Sequence, residues 1–443
     1  MNLFQTVAEI IDRREPELTQ FLGDLVRIPC VNQGEPNTCI EGPVQEHVAA
    51  FMRTMQLDVT MHAYDREQVR PNVIGRWKGA GGGESLLLNA HADVVPVNDP
   101  AQWTTEPFGG SVKDGCVWGR GAVDDKSGIA AMIFAVRALQ EAGVRLKGDV
   151  VLLSSVGEES NEGGTLGAGP AVRDMKDKPS FAVVAESTAA QDLDIEGPSM
   201  FFFELTVHGK AVHMGCRNMV IYPQPRSVLC GNEIGADAIQ KSLPILDMFY
   251  RKERDWACNW HGGMVGSGGA HTFDAKGVGV FGINIFQVEG GGYLGAVPAK
   301  MTIRGSVLHD QSRNSEDVFE ELKNSVMAIA STDSWLAANP PEIRLLKELH
   351  YWPGFRVELD HPGVIASEQA HLAINGYPVN PSGFKAVCDA TYIQRSGIPA
   401  VVYGAGEAGH GVHGVDENVS VDQLKKTCKF FAGLILEWCG VAE

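Results

Sequence analysis

The chain has no C-x-x-C pair, and its nine cysteines are an odd number scattered along 443 residues. Several of them (Cys30, Cys230 and Cys428) sit inside apolar segments. This excludes a disulfide framework and implies the reduced, buried thiols of a cytoplasmic protein. No apolar run approaches the ~20 residues that span a membrane. The first residues, MNLFQTVAEIIDRREPE, read as an amphipathic helix without the unbroken apolar stretch of a signal peptide. Basic residues are also in short supply: Lys and Arg number 37 against 55 Asp and Glu, for a formal net charge of −18. Nucleic acid is therefore excluded as a partner, and a polyanionic substrate is disfavoured. The glycine cluster Gly79-Ala-Gly-Gly-Gly83 lacks the Lys-Ser/Thr and the following helix of a phosphate cradle and reads as a turn.

The chain is long for one core and comfortable for two. Up to about residue 190, helical periodicity (5–27, 43–56, 127–142) alternates with short apolar runs (85–90, 149–156, 181–185). That alternation predicts a mixed, mainly parallel sheet with helices on both faces. From about 196 the texture changes. Strand-like Met200–Val207, a helix over 226–253, strands at 278–288 and 296–308, a helix over 314–331 and a strand at 342–349 give the order βαββαβ. This is the ferredoxin-like arrangement. Strand Ala400–Tyr403 and helix Val421–Trp438 then return to the first texture. The simplest organisation is a discontinuous domain of residues 1–195 and 354–443, interrupted by a smaller domain of 196–353. The Gly/His stretch from His261 to His271 reads as a mobile loop.

What the chain does have is acids and histidines at the ends of apolar runs. His91 and Asp93 follow Leu86-Leu-Leu, Glu158 and Glu159 follow Val150-Val-Leu-Leu, and Glu186 follows Phe181-Ala-Val-Val. Asp124 lies in a glycine-flanked loop before a helix, and His413 lies near Asp416 and Glu417. Ligands of open α/β sheets bind outside the carboxyl ends of strands. Carboxylates crowded there repel one another, and divalent cations remove that difficulty. Three carboxylates and two neutral imidazoles balance two divalent ions to within one charge, and a mixed N/O donor set suits Zn²⁺.

With those residues in place, the chain resembles the M20 metallopeptidase and amidohydrolase family, whose members include acetylornithine deacetylase, succinyl-diaminopimelate desuccinylase, aminoacylase-1 and carboxypeptidase G2. The resemblance covers His-Ala-Asp-Val-Val-Pro at 91–96, Trp103, Pro107-Phe108, Asp114-Gly115 and Gly119-Arg-Gly-Ala-x-Asp-x-Lys126. It continues through Gly157-Glu-Glu159, Glu186, Asp389 and His413-x-x-Asp-Glu417. It implies one metal held by His91, Asp124 and Glu186, and a second held by Asp124, Glu159 and His413. Zinc would come before cobalt or manganese, Asp124 would bridge the two ions, and the Asp124–Asp125 peptide would be cis. It further implies that Asp93 orients His91 and that Glu158 is the general base, taking a proton from the bridging water and passing it to the leaving nitrogen. The inserted domain would be a lid that pairs two copies as a homodimer. His213, in Gly209-Lys-Ala-Val-His213, would stabilise the oxyanion in the partner's site.

Other positions depart from the pattern. Gly295 and Leu308 stand where many members carry Asn and a carboxylate-gripping Arg, and Met214-Gly215-Cys216 replaces the usual Ser-Ser after the histidine. Arg304 and Arg217 are the remaining candidates for an anion contact. Trp256, Trp260 and Phe273 suggest a pocket with more aromatic surface and less commitment to a free α-carboxylate. The leading expectation is a dinuclear zinc hydrolase of an N-acyl, N-carbamoyl or C-terminal peptide amide. A dipeptidase or aminopeptidase of the same fold and an inactive metal-binding scaffold are the alternatives. Retention of Glu158 speaks against the scaffold.

Overall fold

Strand Leu86–His91 is buried at every position, a pattern that only a strand covered on both faces allows. The strands beside it, Val150–Ser155 and Phe181–Val184, are equally buried and run parallel to it. Ala400–Val402 extends the parallel set beyond Phe181–Val184. The computed structural model describes residues 3–32, 40–221, 231–259, 281–346 and 351–442. Within them the chain divides into two compact units, one running to Gly197 and resuming at Phe355, the other lying between Pro198 and Gly354.

The first unit is built on a nine-stranded sheet. Its centre is parallel as expected, but its flanks are not. Pro71–Trp77 pairs antiparallel with Val150–Ser155, and Asp58–Ala63 pairs antiparallel with Pro71–Trp77. On the other side Asp192–Gly197 runs antiparallel to Ala400–Val402 and to Phe355–Arg356, with Asn380–Gly383 parallel to it. The sheet is therefore mixed more evenly than expected. Asp58–Ala63 alternates exposed polar residues (Asp58, Thr60, His62) with covered apolar ones (Val59, Met61, Ala63), so it carries no continuous apolar run. A short turn joins it to its antiparallel neighbour, whereas parallel neighbours need a long crossover.

Helices Ala168–Arg173 and Ala390–Arg395 cover one face, packing on Leu87, Val151, Leu153, Ala182 and Val184. Gly42–Thr54, Lys126–Glu141, Pro362–Asn375 and Val421–Cys439 are grouped on the other. The N-terminal helical stretch is two helices, Leu3–Arg13 and Glu15–Val26. Pro16 opens the second, where its missing N–H costs nothing.

The second unit is a separate antiparallel sheet in the order Gly282–Gly290, Lys300–His309, Ser199–His208, Glu342–Leu345, with Tyr351–Trp352 also on Ser199–His208. Its helices Ala238–Asn259 and Ser315–Ser331 share one apolar core with the sheet. This is the ferredoxin-like βαββαβ order. Trp256 is not pocket surface: it is buried in that core, with its indole N–H donated to Glu321 at 2.8 Å. Trp260, Phe273 and the stretch 261–271 lie outside the described residues, as do 226–230, 278–280 and 347–349 of the expected elements. Among the described residues, no helix is long and apolar enough to cross a membrane.

Candidate metal centre

Because Leu86–His91, Val150–Ser155 and Phe181–Val184 are parallel, the chain leaves all three at one edge of the sheet. His91 is the last residue of its strand, Glu158 and Glu159 follow the second, and Glu186 follows the third. Asp124 arrives at the same edge from the loop before helix Lys126–Glu141, across an Asp124–Asp125 peptide that is cis.

The two oxygens of Asp124 face different partners. Oδ1 lies 2.8 Å from His91 Nε2, which is itself 3.6 Å from Glu186 Oε1. Oδ2 lies 3.2 Å from His413 Nε2, and that same nitrogen is 3.2 Å from Glu159 Oε2. Two further groupings bring ligand atoms within 4.8 Å of one another: His91 with Asp124 and Glu159, and His91 with Asp125 and Glu186. Asp125 was not singled out from the sequence. It is fully buried, and neither of its carboxylate oxygens has a hydrogen-bond partner. One oxygen of Glu159 is likewise buried and unpartnered.

The surrounding groups fix these positions. Asp93 does so with two different groups. The other ring nitrogen of His91 lies 2.9 Å from the Asp93 main-chain carbonyl oxygen and 3.6 Å from its carboxylate. The carboxylate instead accepts the N–H groups of Glu158 and Glu159, at 3.2 and 3.0 Å, and the side-chain amide of Asn32. It is directed at the turn because three donors converge there. His413 sits at φ 57°, in the left-handed region, and Asn98 donates to its carbonyl oxygen at 3.1 Å. Asp389, another residue of the sequence pattern, is buried and accepts the Ser155 hydroxyl at 2.7 Å.

The electrostatics are those of acids packed too closely for their own charge. Burial, opposed by His91 and reinforced by Glu186 and Glu159, pushes Glu158 well above the carboxylate range. Burial and the charge of Asp124 raise Glu186 in the same way and bring Glu159 to about 7. Asp124, although half-buried, is held low by hydrogen bonds with His413 and His91. Hydrogen bonds to Asp124 and Glu159 lift His413 to about 11. Buried acids with bare oxygens, alternating with imidazoles, fit divalent cations, which would discharge the repulsion and occupy the unpartnered atoms.

The remaining candidates lie in the second unit. His213 is exposed, and its Nδ1 accepts the N–H of Gly215 at 3.1 Å. Arg304 is paired with Glu204 at 2.8 Å and with Gln287, and Arg217 with Asp237 at 2.5 Å.

Residues 87–437 match the model of peptidase family M20/M25/M40, and the chain belongs to that family. It is accordingly a metal-dependent hydrolase of amide bonds. Among its relatives is an N-formyl-4-amino-5-aminomethyl-2-methylpyrimidine deformylase of Bacillus subtilis (strain 168), 28% identical over 97% of this chain and 96% of that protein. A succinyl-diaminopimelate desuccinylase of Cereibacter sphaeroides is 39% identical over 31% of this chain and 34% of that protein. Human carnosine dipeptidase 1 has the same fold, with a TM-score of 0.74, 16% identity and 99% of both chains covered.

Proposed function

We propose that this chain is a dinuclear metal amidohydrolase that removes the acyl group, in particular a formyl group, from a small N-acylated amine. The observation that carries the reading is Asp124, whose oxygens face His91 on one side and His413 on the other. His91, Asp124 and Glu186 would hold one ion, and Asp124, Glu159 and His413 the other, with zinc preferred to cobalt or manganese. When bound, such a pair supplies a water of lowered pKa and polarises the amide carbonyl.

The proton work falls to Glu158. Its buried carboxylate accepts the proton that the attacking water loses as the new C–O bond forms. It returns that proton to the nitrogen as the C–N bond breaks, leaving a carboxylate and an amine. Asp93 keeps Glu158 in place through the peptide N–H groups of Glu158 and Glu159. We assign His213 to the developing oxyanion, and the second unit to the pairing of two copies.

The substrate reading rests on two features. A relative that matches almost the whole chain is named for a formyl amide whose name contains no acid group. In this chain Leu308 stands where a carboxylate-gripping arginine is expected, and Arg304 and Arg217 are already engaged by Glu204 and Asp237. Mass-spectrometric product detection tests it, using a panel of N-formyl aminomethyl-pyrimidine, N-acyl amino acids and dipeptides, with added Zn²⁺ and with chelator. Fastest, chelator-sensitive release of formate supports the proposal. Equal or better turnover of N-acetyl-ornithine, succinyl-diaminopimelate or a dipeptide overturns it.

A further inference from the structure

Arg70 is a fully buried cation in the N-terminal part of the chain, ahead of the segment that carries the family pattern. Its guanidinium forms a two-pronged pair with Glu41, both contacts at 2.7 Å, and reaches Glu162 at 2.6 Å. Both acids hold the turn of Glu158 and Glu159. Glu41 Oε1 accepts the N–H of Gly157 at 3.2 Å. Glu162 accepts the hydroxyl of Ser160 at 2.6 Å, and its own N–H closes on the Gly157 carbonyl oxygen at 2.7 Å.

Three consecutive peptide N–H groups are thus taken by carboxylates from distant segments, Gly157 by Glu41, and Glu158 and Glu159 by Asp93. Gly157 itself is at φ 70°, and a Cβ there would stand 3.0 Å from Glu162 Cβ and 3.3 Å from Arg70 Nη2. The turn closes on itself through the N–H of Asn161 to the Glu158 carbonyl oxygen at 2.9 Å and that of Glu162 to Gly157, but the N–H groups of Gly157, Glu158 and Glu159 are satisfied by the remote acids, so the start of the turn depends on them. The Glu41 carboxylate in turn depends on Arg70, because a buried acid without its cation is strongly unfavourable.

We propose that Arg70, acting through Glu41 and Glu162, is a positioning residue that sets the Gly157–Ser160 turn and thereby aims Glu158 and Glu159. The proposal rests on the assignment of Glu158 as proton carrier and Glu159 as metal ligand. Arg70→Met, Arg70→Lys and Glu41→Gln are compared with Arg76→Met, which breaks an ordinary ion pair with Asp149 from within Pro71–Trp77, the strand that begins right after Arg70. The readouts are kcat and KM, and hydrogen exchange of the metal-free proteins below their unfolding temperatures.

Expected for Arg70→Met and Glu41→Gln are a kcat lower by about 10- to 100-fold with KM unchanged, and faster exchange confined to residues 157–162. Arg70→Lys recovers part of kcat, since it keeps the charge but loses the fork. Arg76→Met leaves kcat as it was. If Arg70→Met does not fold, the Lys and Gln variants carry the test. A kcat per folded molecule equal to wild type, or exchange that rises evenly across the sheet, overturns the proposal. Full activity in Glu158→Ala overturns the base assignment alone, and the exchange pattern then decides the role of Arg70 by itself.

Discussion

The carboxylate of Glu417 accepts the main-chain N–H of Asp124 at 3.1 Å, joining residues 293 apart in sequence. The same oxygen takes the N–H of Val123 at 2.8 Å, and the other oxygen takes Gly121 and the guanidinium of Arg120. One buried acid therefore shapes the loop that delivers Asp124, and it comes from the segment that carries His413.

Removing that acid leaves Arg120 charged and buried without its partner, since both side chains are 1% exposed. Glu417→Ala is expected to lose about 3–5 kcal/mol of stability. Urea unfolding followed by circular dichroism measures this. A loss below about 1 kcal/mol, the range of a surface pair, would show that the pair does not organise the loop.

Glu158→Ala should separate chemistry from metal binding. Its metal content and melting temperature should equal wild type, while kcat falls by about 10²–10⁴-fold. Asp124→Asn should lose metal and activity together, because one residue serves both sides of the centre. Metal analysis alongside steady-state kinetics distinguishes the two. Wild-type turnover in Glu158→Ala would refute its assignment.

The second unit should lose stability in mild acid through His309. This imidazole is buried at the end of strand Lys300–His309, with one nitrogen 2.9 Å from the Asp310 carbonyl oxygen and the other 2.7 Å from the Ser315 hydroxyl. Burial pulls its pKa down to about 4; Arg313 assists, while Asp310 and Glu316 oppose. The unfolded chain binds the proton near 6.5, so stability is full above that pH and declines as pH falls toward 4. The shift corresponds to about 3 kcal/mol at the acid end of the window. His309→Gln should flatten this part of the stability–pH curve. An unchanged slope between pH 6.5 and 4 would contradict it.

Gly404 faces the main chain beneath Glu186. A Cβ there would stand 2.3 Å from the Glu186 carbonyl oxygen and 2.5 Å from that of Ala185. Backbone cannot rotate aside as a side chain can, so Gly404→Ala should cost about 1–3 kcal/mol and weaken metal binding by displacing Glu186. Calorimetric titration with Zn²⁺ and thermal unfolding report the two effects. Wild-type affinity would mean that the strand end absorbs the methyl group without moving Glu186.

Much of the centre could be read locally. His91, Glu158, Glu159 and Glu186 each end a run whose apolar character already marks a buried strand, and parallel strands necessarily deliver such residues to one edge. Asp125 was missed because an acid beside an acid before a helix reads as an ordinary cap. Only its burial without a partner sets it apart. Arg70 and Glu41 were missed for a different reason. A charged residue in sequence reads as solvated surface, and nothing local says that it will be buried against a partner far along the chain.

The sequence by itself determined the alternation of strands and helices, the ferredoxin-like order of the inserted segment and the donor types of the centre. These depend on the periodicity and chemistry of short segments. Tertiary structure decided the rest: the antiparallel flanks of the large sheet, the burial of Trp256 in a core, and the carbonyl rather than the carboxylate of Asp93 beside His91. It also decided which carboxylates hold the turn at Gly157 and the loop at Asp124. Those outcomes depend on distances between segments, and only the closing of the whole fold sets them.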